Sequence, residues 1–354
     1  MEELAKGSTA VLVAGWVAVL TLLLACVLLT IIVILRIRAQ RREQRDARAR
    51  EYWAGMLQQA LQGATPPQVR ALQAGEAHGF VEAWNSVHES QPDDPAPRLV
   101  PVAVQAGLEG ACRRLLRGSY HDRAMAIIAL GHLRDRRLFD DLSPFLADRS
   151  PIVSLCAARA LAQVDPPRAM AMFVPLVAER EDWVPGNVAR ILAENHDGSA
   201  ARELSNALLR ANADTTVKLV RFLADIDPQR AGGVVRQLLD GHVDDHILSV
   251  CLQLVTDPQD RERVAGFLTA SRWHVRMHAA AALGRIGQTS DATRLEPLLA
   301  DSIWWVRYRA AQALLALPGM GAEALRRIQQ RQSDTYGRDI IEQVLSEHGL
   351  KGAA

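Results

Sequence analysis

The sequence is poor in aromatic residues and has no paired cysteines, and each shortage excludes a class of protein. Only 5% of the 354 residues are aromatic, which disfavours a β-rich fold, since strands are enriched in aromatic side chains. The four cysteines are widely spaced and form no CxxC pair; they are Cys26, Cys112, Cys156 and Cys251. This spacing indicates neither a disulfide framework nor a zinc site, and it is typical of thiols in a reducing compartment.

The sequence also has no large excess of positive or negative charge. The net charge is +1, so the sequence lacks the overall basic character of a nucleic-acid-binding protein. Motifs of catalysis are missing too: there is no GxSxG, no Walker loop and no HExxH. We therefore predict a protein that is not an enzyme, with no catalytic, cofactor-binding or metal-binding residues, no cofactor and no nucleic-acid partner.

Two weaker patterns in the sequence could indicate a metal site or a nucleotide site. The pairs His242/His246 and His274/His278 have i,i+4 spacing and could hold a metal on one helix face, but no third ligand stands at a suitable distance in the sequence. The segment GMGAEA, which starts at Gly319, fits GxGxxA, but it follows a helical pattern rather than a strand. We interpret the histidine pairs as polar residues at helix starts and the GMGAEA segment as a loop.

A long uncharged run near the N-terminus predicts a membrane segment. Between Lys6 and Arg36 lie 29 residues without a charge, more than the roughly 20 residues needed to cross a bilayer. We expect a short extracytoplasmic segment over 1–6 and a transmembrane helix over 7–35. A cleaved signal peptide is disfavoured because the run is too long and MEELAK is acidic. The sequence LLAC resembles a bacterial lipoprotein cleavage box, but the run continues nine residues beyond Cys26.

The charges that flank this run predict its orientation. Seven arginines follow it, at positions 36, 38, 41, 42, 45, 48 and 50, against one lysine before it. Because positive residues are retained in the cytoplasm, we expect the N-terminus outside and the rest of the chain inside, at a bacterial inner membrane. The arginines from Arg36 to Arg50 could also contact anionic lipid. In the alternative topology the soluble part faces the periplasm, and the available partners differ.

Residues 36–98 read as two further segments. Residues 36–63 continue the helical pattern as a basic juxtamembrane helix, and 64–98 read as a Pro-rich, loosely helical connector with breaks at ATPP and QPDDPAPR. Inside the connector, residues 79–90 form an amphipathic pattern with Phe80, Trp84 and Val87 on one face.

From residue 99 to 354 the chain repeats. Leucines recur every 31 residues, and after a two-residue deletion the spacing resumes; they are Leu130, Leu161, Leu192, Leu223, Leu254, Leu283, Leu314 and Leu345. Each repeat contains two helical patterns separated by breaks such as VDPP and IGQTS. A single helix pair buries little apolar area, whereas stacked pairs share one core. The pattern predicts an all-α solenoid of about eight helix pairs.

The units SRWHVRMHAAAALGRIG and DSIWWVRYRAAQALLAL come closest to a D-x-x-x-x-VR-x-x-AA-x-AL pattern, which resembles the HEAT-repeat family in its short form of about 30 residues, also found in phycobilin lyase subunits. The segments WWVRYRAAQALLALP and DTYGRDIIEQVL are similar in sequence to bacterial membrane-anchored HEAT proteins. Those proteins accompany inner-membrane glycosyltransferases of exopolysaccharide systems. The resemblance implies a protein–protein interaction scaffold. Its implied partner is another membrane protein, such as one of these glycosyltransferases. The alternative is a lyase-like or small-ligand protein that uses the concave groove.

The HEAT family also places an aspartate six residues before an arginine, where the two link adjacent repeats. Asp301 and Arg307 keep this spacing, whereas Ser154 replaces the arginine after Asp148, and Ala270 replaces the acid before Arg276. The resemblance therefore implies a structural ion pair between Asp301 and Arg307.

The leucines that recur every 31 residues are called here the leucine ladder. Aromatic residues recur nine or ten residues before several of these leucines, at Tyr120/His121, Trp183, Trp273/His274 and Trp304/Trp305. Tryptophan, tyrosine and arginine are enriched at interface hot spots. The predicted partner-binding ridge comprises Trp183, Trp273, His274, Arg276, Trp304, Trp305 and Arg309. In the alternative, each indole packs on the loop of the preceding repeat under an arginine stem, and this applies first to Trp183 and Trp305.

Overall fold

The computed structural model describes residues 2–63, 69–73, 75–91, 94–241 and 243–350. Within these ranges the chain is helical and has no β-strand, which confirms the all-α prediction. The ATPP break at 64–67 and His242 lie outside the described residues. The α-helices are α1 (Glu2–Leu61), α2 (Ala77–Ser90), α3 (Ala96–Ala106), α4 (Leu108–Leu115), α5 (Tyr120–His132), α6 (Phe139–Leu142), α7 (Pro151–Val164), α8 (Pro166–Glu179), α9 (Pro185–Ala193), α10 (Ser199–Leu208), α11 (Ala213–Ile226), α12 (Pro228–Asp240), α13 (Asp245–Leu254), α14 (Arg261–Gly266), α15 (Trp273–Ile286), α16 (Ala292–Leu295), α17 (Trp304–Ala316), α18 (Ala322–Arg331) and α19 (Thr335–Glu347).

Contacts along the chain divide it into two compact units, called here unit 1 (Met1–Asp165) and unit 2 (Pro166–Ala354). Successive helices pack against one another within each unit, for example α5 on α7 in unit 1 and α15 on α17 in unit 2. The boundary expected at residue 99 does not coincide with this division, because unit 1 also contains α1 and α2.

Helix α1 has two parts with opposite surroundings. From Leu20 to Ile37 its large apolar side chains are exposed, and Leu22 retains 66% of its accessible surface. By length and composition, α1 is the one helix in the described part of the chain that could cross a membrane. Near its C-terminal end, in contrast, Trp53 and Leu57 are fully buried. The expected membrane segment and juxtamembrane helix are therefore one continuous helix, whose far end belongs to the core of unit 1.

A glycine allows α2 to pack closely on α1. A Cβ atom added to Gly79 would meet the carbonyl oxygen of Asp46 and would lie 2.9 Å from the Cβ of Ala49. No side chain larger than hydrogen fits between the two backbones without a shift. This contact fixes the start of α2 beside the arginine-rich part of α1.

The amphipathic pattern over 79–90 forms α2, and its apolar face is buried. Phe80 and Trp84 are fully buried, and Val87 is 6% exposed. The indole Nε1 of Trp84 donates a hydrogen bond to the carbonyl oxygen of Ala129 on α5 at 3.1 Å. The structure thus differs from the loose connector expected over 64–98: α2 is a packed element of unit 1, because its apolar face is covered by both α1 and α5.

Eight helices carry the leucine ladder: α5, α7, α9, α11, α13, α15, α17 and α19. Seven of the expected leucines are buried at 1% exposure or less. The exception is Leu254, which is half-buried, while Leu252 on the same helix is fully buried. Leu252 lies 31 residues before Leu283, so the two-residue deletion precedes α13 instead of following it.

The same close approach joins neighbouring ladder helices in both units. A Cβ atom added to Gly131 on α5 would lie 2.7 Å from the Cα of Ala160 on α7, and one added to Gly284 on α15 would lie 2.7 Å from the Cα of Ala313 on α17. Each glycine directly follows a ladder leucine, and each alanine precedes the next one. Small residues at these positions let the helices come close enough to bury the leucines between them.

Two buried aspartates repeat at the same interval in unit 2. Asp260 and Asp291 are 2% and 1% exposed. Asp260 accepts a hydrogen bond from Nε of Arg236 at 2.7 Å and another from Arg263, while Asp291 lies 3.5 Å from Arg294. The arginine three residues after each aspartate therefore forms part of its charge compensation, which a buried carboxylate requires.

Candidate functional site

Three exposed tryptophans of unit 2 lie at the first turns of two successive ladder helices. Helix α15 begins at Trp273, and α17 begins at Trp304. Trp273, Trp304 and Trp305 retain 40%, 37% and 51% of their accessible surface. Exposed large apolar side chains that lie together mark interaction surfaces. We call these three tryptophans the aromatic ridge.

The α17 part of the ridge is an ordered stack. The rings of Trp304 and Tyr308 are nearly parallel, with centroids 4.9 Å apart, and Trp305 is perpendicular to Trp304 at 4.6 Å. The hydroxyl of Tyr308 donates a hydrogen bond to Oε2 of Glu347 on α19 at 2.7 Å. This bond ties the stack to the next ladder helix, and it lowers the pKa of Glu347.

Basic and polar groups flank the ridge. The rings of His274 and Trp273 are perpendicular, with centroids 5.7 Å apart, and Arg309 is exposed, with Nη1 donating to Gln312 at 2.8 Å. Burial lowers the pKa of His278, and the nearby charges of Arg309 and His274 act in the same direction. In the residues the structure describes, no group of three or more His, Cys, Asp or Glu side chains could hold a metal.

Trp183 does not belong to this surface, which corrects its place in the predicted ridge. It is 3% exposed, its ring lies 5.2 Å from that of Phe173, and the guanidinium of Arg180 lies 5.1 Å above it. This is the packing alternative, an indole under an arginine. Trp305, for which the packing alternative was also expected, is not buried in this way, since half of its surface is exposed.

The predicted ion pair between Asp301 and Arg307 is also wrong. The carboxylate of Asp301 accepts from Nε and Nη2 of Arg276, at 2.7 and 3.0 Å. Arg307 instead donates from Nη1 to the backbone carbonyl oxygen of Asp301 at 2.7 Å. Arg276 makes the same kind of bond to the carbonyl oxygen of Ala270 at 2.8 Å. Arg276 is therefore engaged in linking repeats, and it is not available as a ligand of the ridge.

Sequence reasoning missed two tyrosines of the same surface region. Tyr308 completes the stack with Trp304, and Tyr336 at the start of α19 is 68% exposed. The guanidinium of Arg307 lies 5.3 Å above the ring of Tyr336. Tyr336 stands nine residues before Leu345, the offset that identified Trp305, so the ladder itself contained the signal.

Unit 2 also contains a groove of about 810 Å³ between α8, α10 and α11. Its lining includes Glu179, Glu203, Arg210 and Leu209, which is 83% exposed. This groove is where a small-ligand function would be sought. The aromatic ridge, in contrast, offers exposed indole rings at the first turns of two helices, and aromatic side chains are enriched at contacts with other macromolecules.

These features define a helical repeat solenoid with an exposed aromatic surface. The family model for HEAT repeats matches residues 111–189 and 246–315, so the chain contains HEAT repeats in these two stretches. Two crystal structures of engineered proteins are similar: one is 18% identical with a TM-score of 0.34, covering 88% of this chain and 96% of that chain, and the other is 16% identical with a TM-score of 0.21, covering 75% and 95%. No curated protein matches the chain.

Proposed function

We propose that the protein is a membrane-anchored, non-enzymatic scaffold whose HEAT repeats present the aromatic ridge to a protein partner. The ridge carries the proposal. Trp304 and Trp305 combine large apolar area with indole donors, the composition of interface hot spots. The stack with Tyr308, held by Glu347, is ordered before a partner arrives, so that less conformational entropy is lost on binding.

Membrane anchoring is supported by the first part of α1. Its apolar side chains from Leu20 to Ile37 are exposed to the surroundings, and in water this would be an unfavourable arrangement. The arginines from Arg36 to Arg50 follow directly, which favours a cytoplasmic location for the repeats and contact with anionic lipid.

The partner we propose is another membrane protein. Two proteins tethered to the same bilayer meet at a raised effective concentration, so that even a modest interface is occupied. The sequence resemblance to membrane-anchored HEAT proteins suggests an inner-membrane glycosyltransferase of an exopolysaccharide system.

The experiment is affinity purification of the full-length protein from solubilised membranes, with identification of what is retained. The wild type should retain a membrane-bound glycosyltransferase, and the double variant Trp304→Ser/Trp305→Ser should retain at least tenfold less. The control is Leu209→Ser, which removes an 83% exposed apolar side chain elsewhere in unit 2. Recovery of the bare wild-type protein, or equal losses in both variants, would contradict the proposal.

Topology has its own test. A reporter that is active only in the cytoplasm, fused after Arg50, should be active. Activity of a periplasm-specific reporter at the same position would place the repeats outside and change the set of partners.

The groove between α8, α10 and α11 supports the second candidate, a small-ligand function. If that function is correct, a bound molecule should accompany the purified full-length protein, and Glu203→Ala should reduce its amount. A protein that is colourless and ligand-free by mass spectrometry would count against it.

A further inference from the structure

A cavity of about 370 Å³ lies in unit 1 at the arginine-rich part of α1. Arg42, Arg45 and Asp46 line it from α1, Gly75 from the turn before α2, His78 from the start of α2, and Asp122 from the start of α5. Its volume falls within the roughly 300–1,000 Å³ of small-ligand sites.

The two arginines that line the cavity have charges that no acidic side chain of the described residues compensates through an ion pair. Neither Arg42 nor Arg45 forms an ion pair with any residue that the structure describes, whereas Arg50, two turns further along α1, pairs with Glu82 at 3.1 Å. Arg45 lies against the turn at Gly75, which has φ +90°, and a Cβ atom there would be 2.7 Å from Nη1 of Arg45. A glycine at this turn leaves room for the guanidinium at the cavity wall.

His78 is also held in a defined position. The close packing of Gly79 on α1 fixes the start of α2, and Nδ1 of His78 lies 3.5 Å from Oδ1 of Asp122. The other oxygen of Asp122 accepts hydrogen bonds from the backbone N and the hydroxyl of Ser119, at 3.0 and 2.9 Å. This carboxylate is thus engaged in capping α5 and orienting His78, and it does not neutralise the arginines. Asp46 is the second acid in the wall.

The wider charge around the cavity is positive. Residues 36–50 contain seven arginines and two acids, which concentrates anions at this end of α1. Two guanidinium groups on one wall can form the paired hydrogen bonds that recognise phosphate oxygens.

The distance from the apolar run suggests where such a phosphate would come from. Arg42 and Arg45 follow Leu35 by seven and ten residues, or about 10 and 15 Å at the helical rise of 1.5 Å per residue. The headgroup layer extends roughly 5–8 Å beyond the hydrocarbon core, and helical side chains lean toward the N-terminus, which here means toward the apolar run. With α1 anchored in the membrane as proposed above, the cavity would lie at the outer edge of the headgroup layer.

We propose that this cavity binds a phosphate group, with Arg42 and Arg45 as its principal ligands and His78 as a further hydrogen-bond partner. A phosphate-bearing lipid headgroup and a soluble phosphate share this chemistry. The lipid source rests on the membrane anchoring proposed above, while the phosphate site itself does not.

The test measures binding to the purified full-length protein in a neutral detergent. The probes are dioctanoyl phosphatidic acid, glycerol 3-phosphate and inorganic phosphate, with dioctanoyl phosphatidylcholine as a comparison. Arg42→Gln/Arg45→Gln should weaken binding of the phosphate probes at least tenfold. The matched control is Arg41→Gln/Arg48→Gln, which removes the same charge from two arginines of the same helix that do not line the cavity and should change the affinity less than threefold.

Equal weakening in the two double variants would overturn the proposal, since it would mean diffuse attraction to the arginine run. Failure of the wild type to bind any phosphate probe would overturn it too. Tighter binding of phosphatidic acid than of glycerol 3-phosphate would identify the lipid as the source, and equal binding would identify a soluble phosphate. Failure of the scaffold proposal is distinguishable, because it appears in partner recovery with the ridge variant and leaves phosphate binding unchanged.

Discussion

Arg276 on α15 binds the carboxylate of Asp301, which lies 25 residues further along the chain in the next repeat, through two hydrogen bonds of 2.7 and 3.0 Å. Asp301 also accepts a hydrogen bond from the backbone N of Ile303 at 2.9 Å, so one carboxylate links two repeats and holds the turn that precedes α17. Arg123 and Asp148 in unit 1 have the same separation and lie 3.2 Å apart. The charged link between repeats thus runs from an arginine to the aspartate of the following repeat.

A double-mutant cycle distinguishes this pairing from the pairing of Asp301 with Arg307. Asp301→Asn should lower the free energy of unfolding by about 2 kcal/mol, because it removes charge-assisted bonds from a part-buried arginine. Urea unfolding of the full-length protein should show a coupling of about 1 kcal/mol or more between residues 276 and 301. Arg307 donates a hydrogen bond only to the backbone of Asp301, which asparagine retains, so the coupling between 301 and 307 should be much smaller than that between 276 and 301. A larger coupling to Arg307 would contradict the structure.

The approach of α15 to α17 predicts an unusual response to a glycine substitution. Within a helix, Gly→Ala ordinarily stabilises by roughly 0.5–1 kcal/mol. At Gly284 a Cβ atom would lie 2.7 Å from the Cα of Ala313, so Gly284→Ala should instead destabilise, by about 1–3 kcal/mol.

The control for Gly284 is Gly233→Ala on α12, where an added Cβ atom would meet nothing within 4 Å. It should raise the midpoint of thermal unfolding, while Gly284→Ala should lower it. Two shifts of the same sign would mean that the α15–α17 packing is looser than the structure shows.

The repeat period, the ladder helices and the amphipathic α2 could be predicted because apolar periodicity directly reflects burial. The deletion was misplaced because Leu252 and Leu254 differ by two positions on one helix, and only packing selects which one is buried. The pairing of Asp301 was misassigned because spacing along the chain suggested a partner within the repeat, while the actual partner comes from the preceding one. The 31-residue recurrence of Asp260 and Asp291 was visible, but its importance depends on burial.

The contrast between Trp183 and Trp305 predicts opposite consequences of removing each indole. Trp183 is buried against Phe173, so Trp183→Ala should cost roughly 3–5 kcal/mol of stability. Trp305 is half exposed, so Trp305→Ala should change stability by less than about 1 kcal/mol and should act on partner recovery instead. Thermal unfolding of both variants, beside the affinity purification, measures this; strong destabilisation by Trp305→Ala would assign the ridge to packing.

A buried histidine pair in unit 1 predicts how stability depends on pH. The rings of His88 and His132 stack with centroids 4.4 Å apart, and the two residues are 8% and 7% exposed. Burial lowers the pKa of His88 to about 4, opposed by Asp94 and assisted by Arg134. Burial also lowers the pKa of His132 to about 3, and His88, Arg159 and Arg134 contribute in the same direction.

Since both pKa values are lower in the folded state than the ordinary value of 6.5, the unfolded chain binds more protons as the pH falls. The histidine contribution to stability should be complete above about pH 6.5 and should decline down to about pH 4 for His88 and about pH 3 for His132, by up to about 1.4 kcal/mol per pH unit for each histidine. Urea unfolding at a series of pH values measures this slope, and Trp84 fluorescence reports on the site because its ring lies 4.3 Å from that of His88. The variant His88→Gln/His132→Gln should have a flatter profile. If its slope matches that of the wild type, the acid sensitivity arises from other groups, and the stacked histidines are not both neutral in the folded protein.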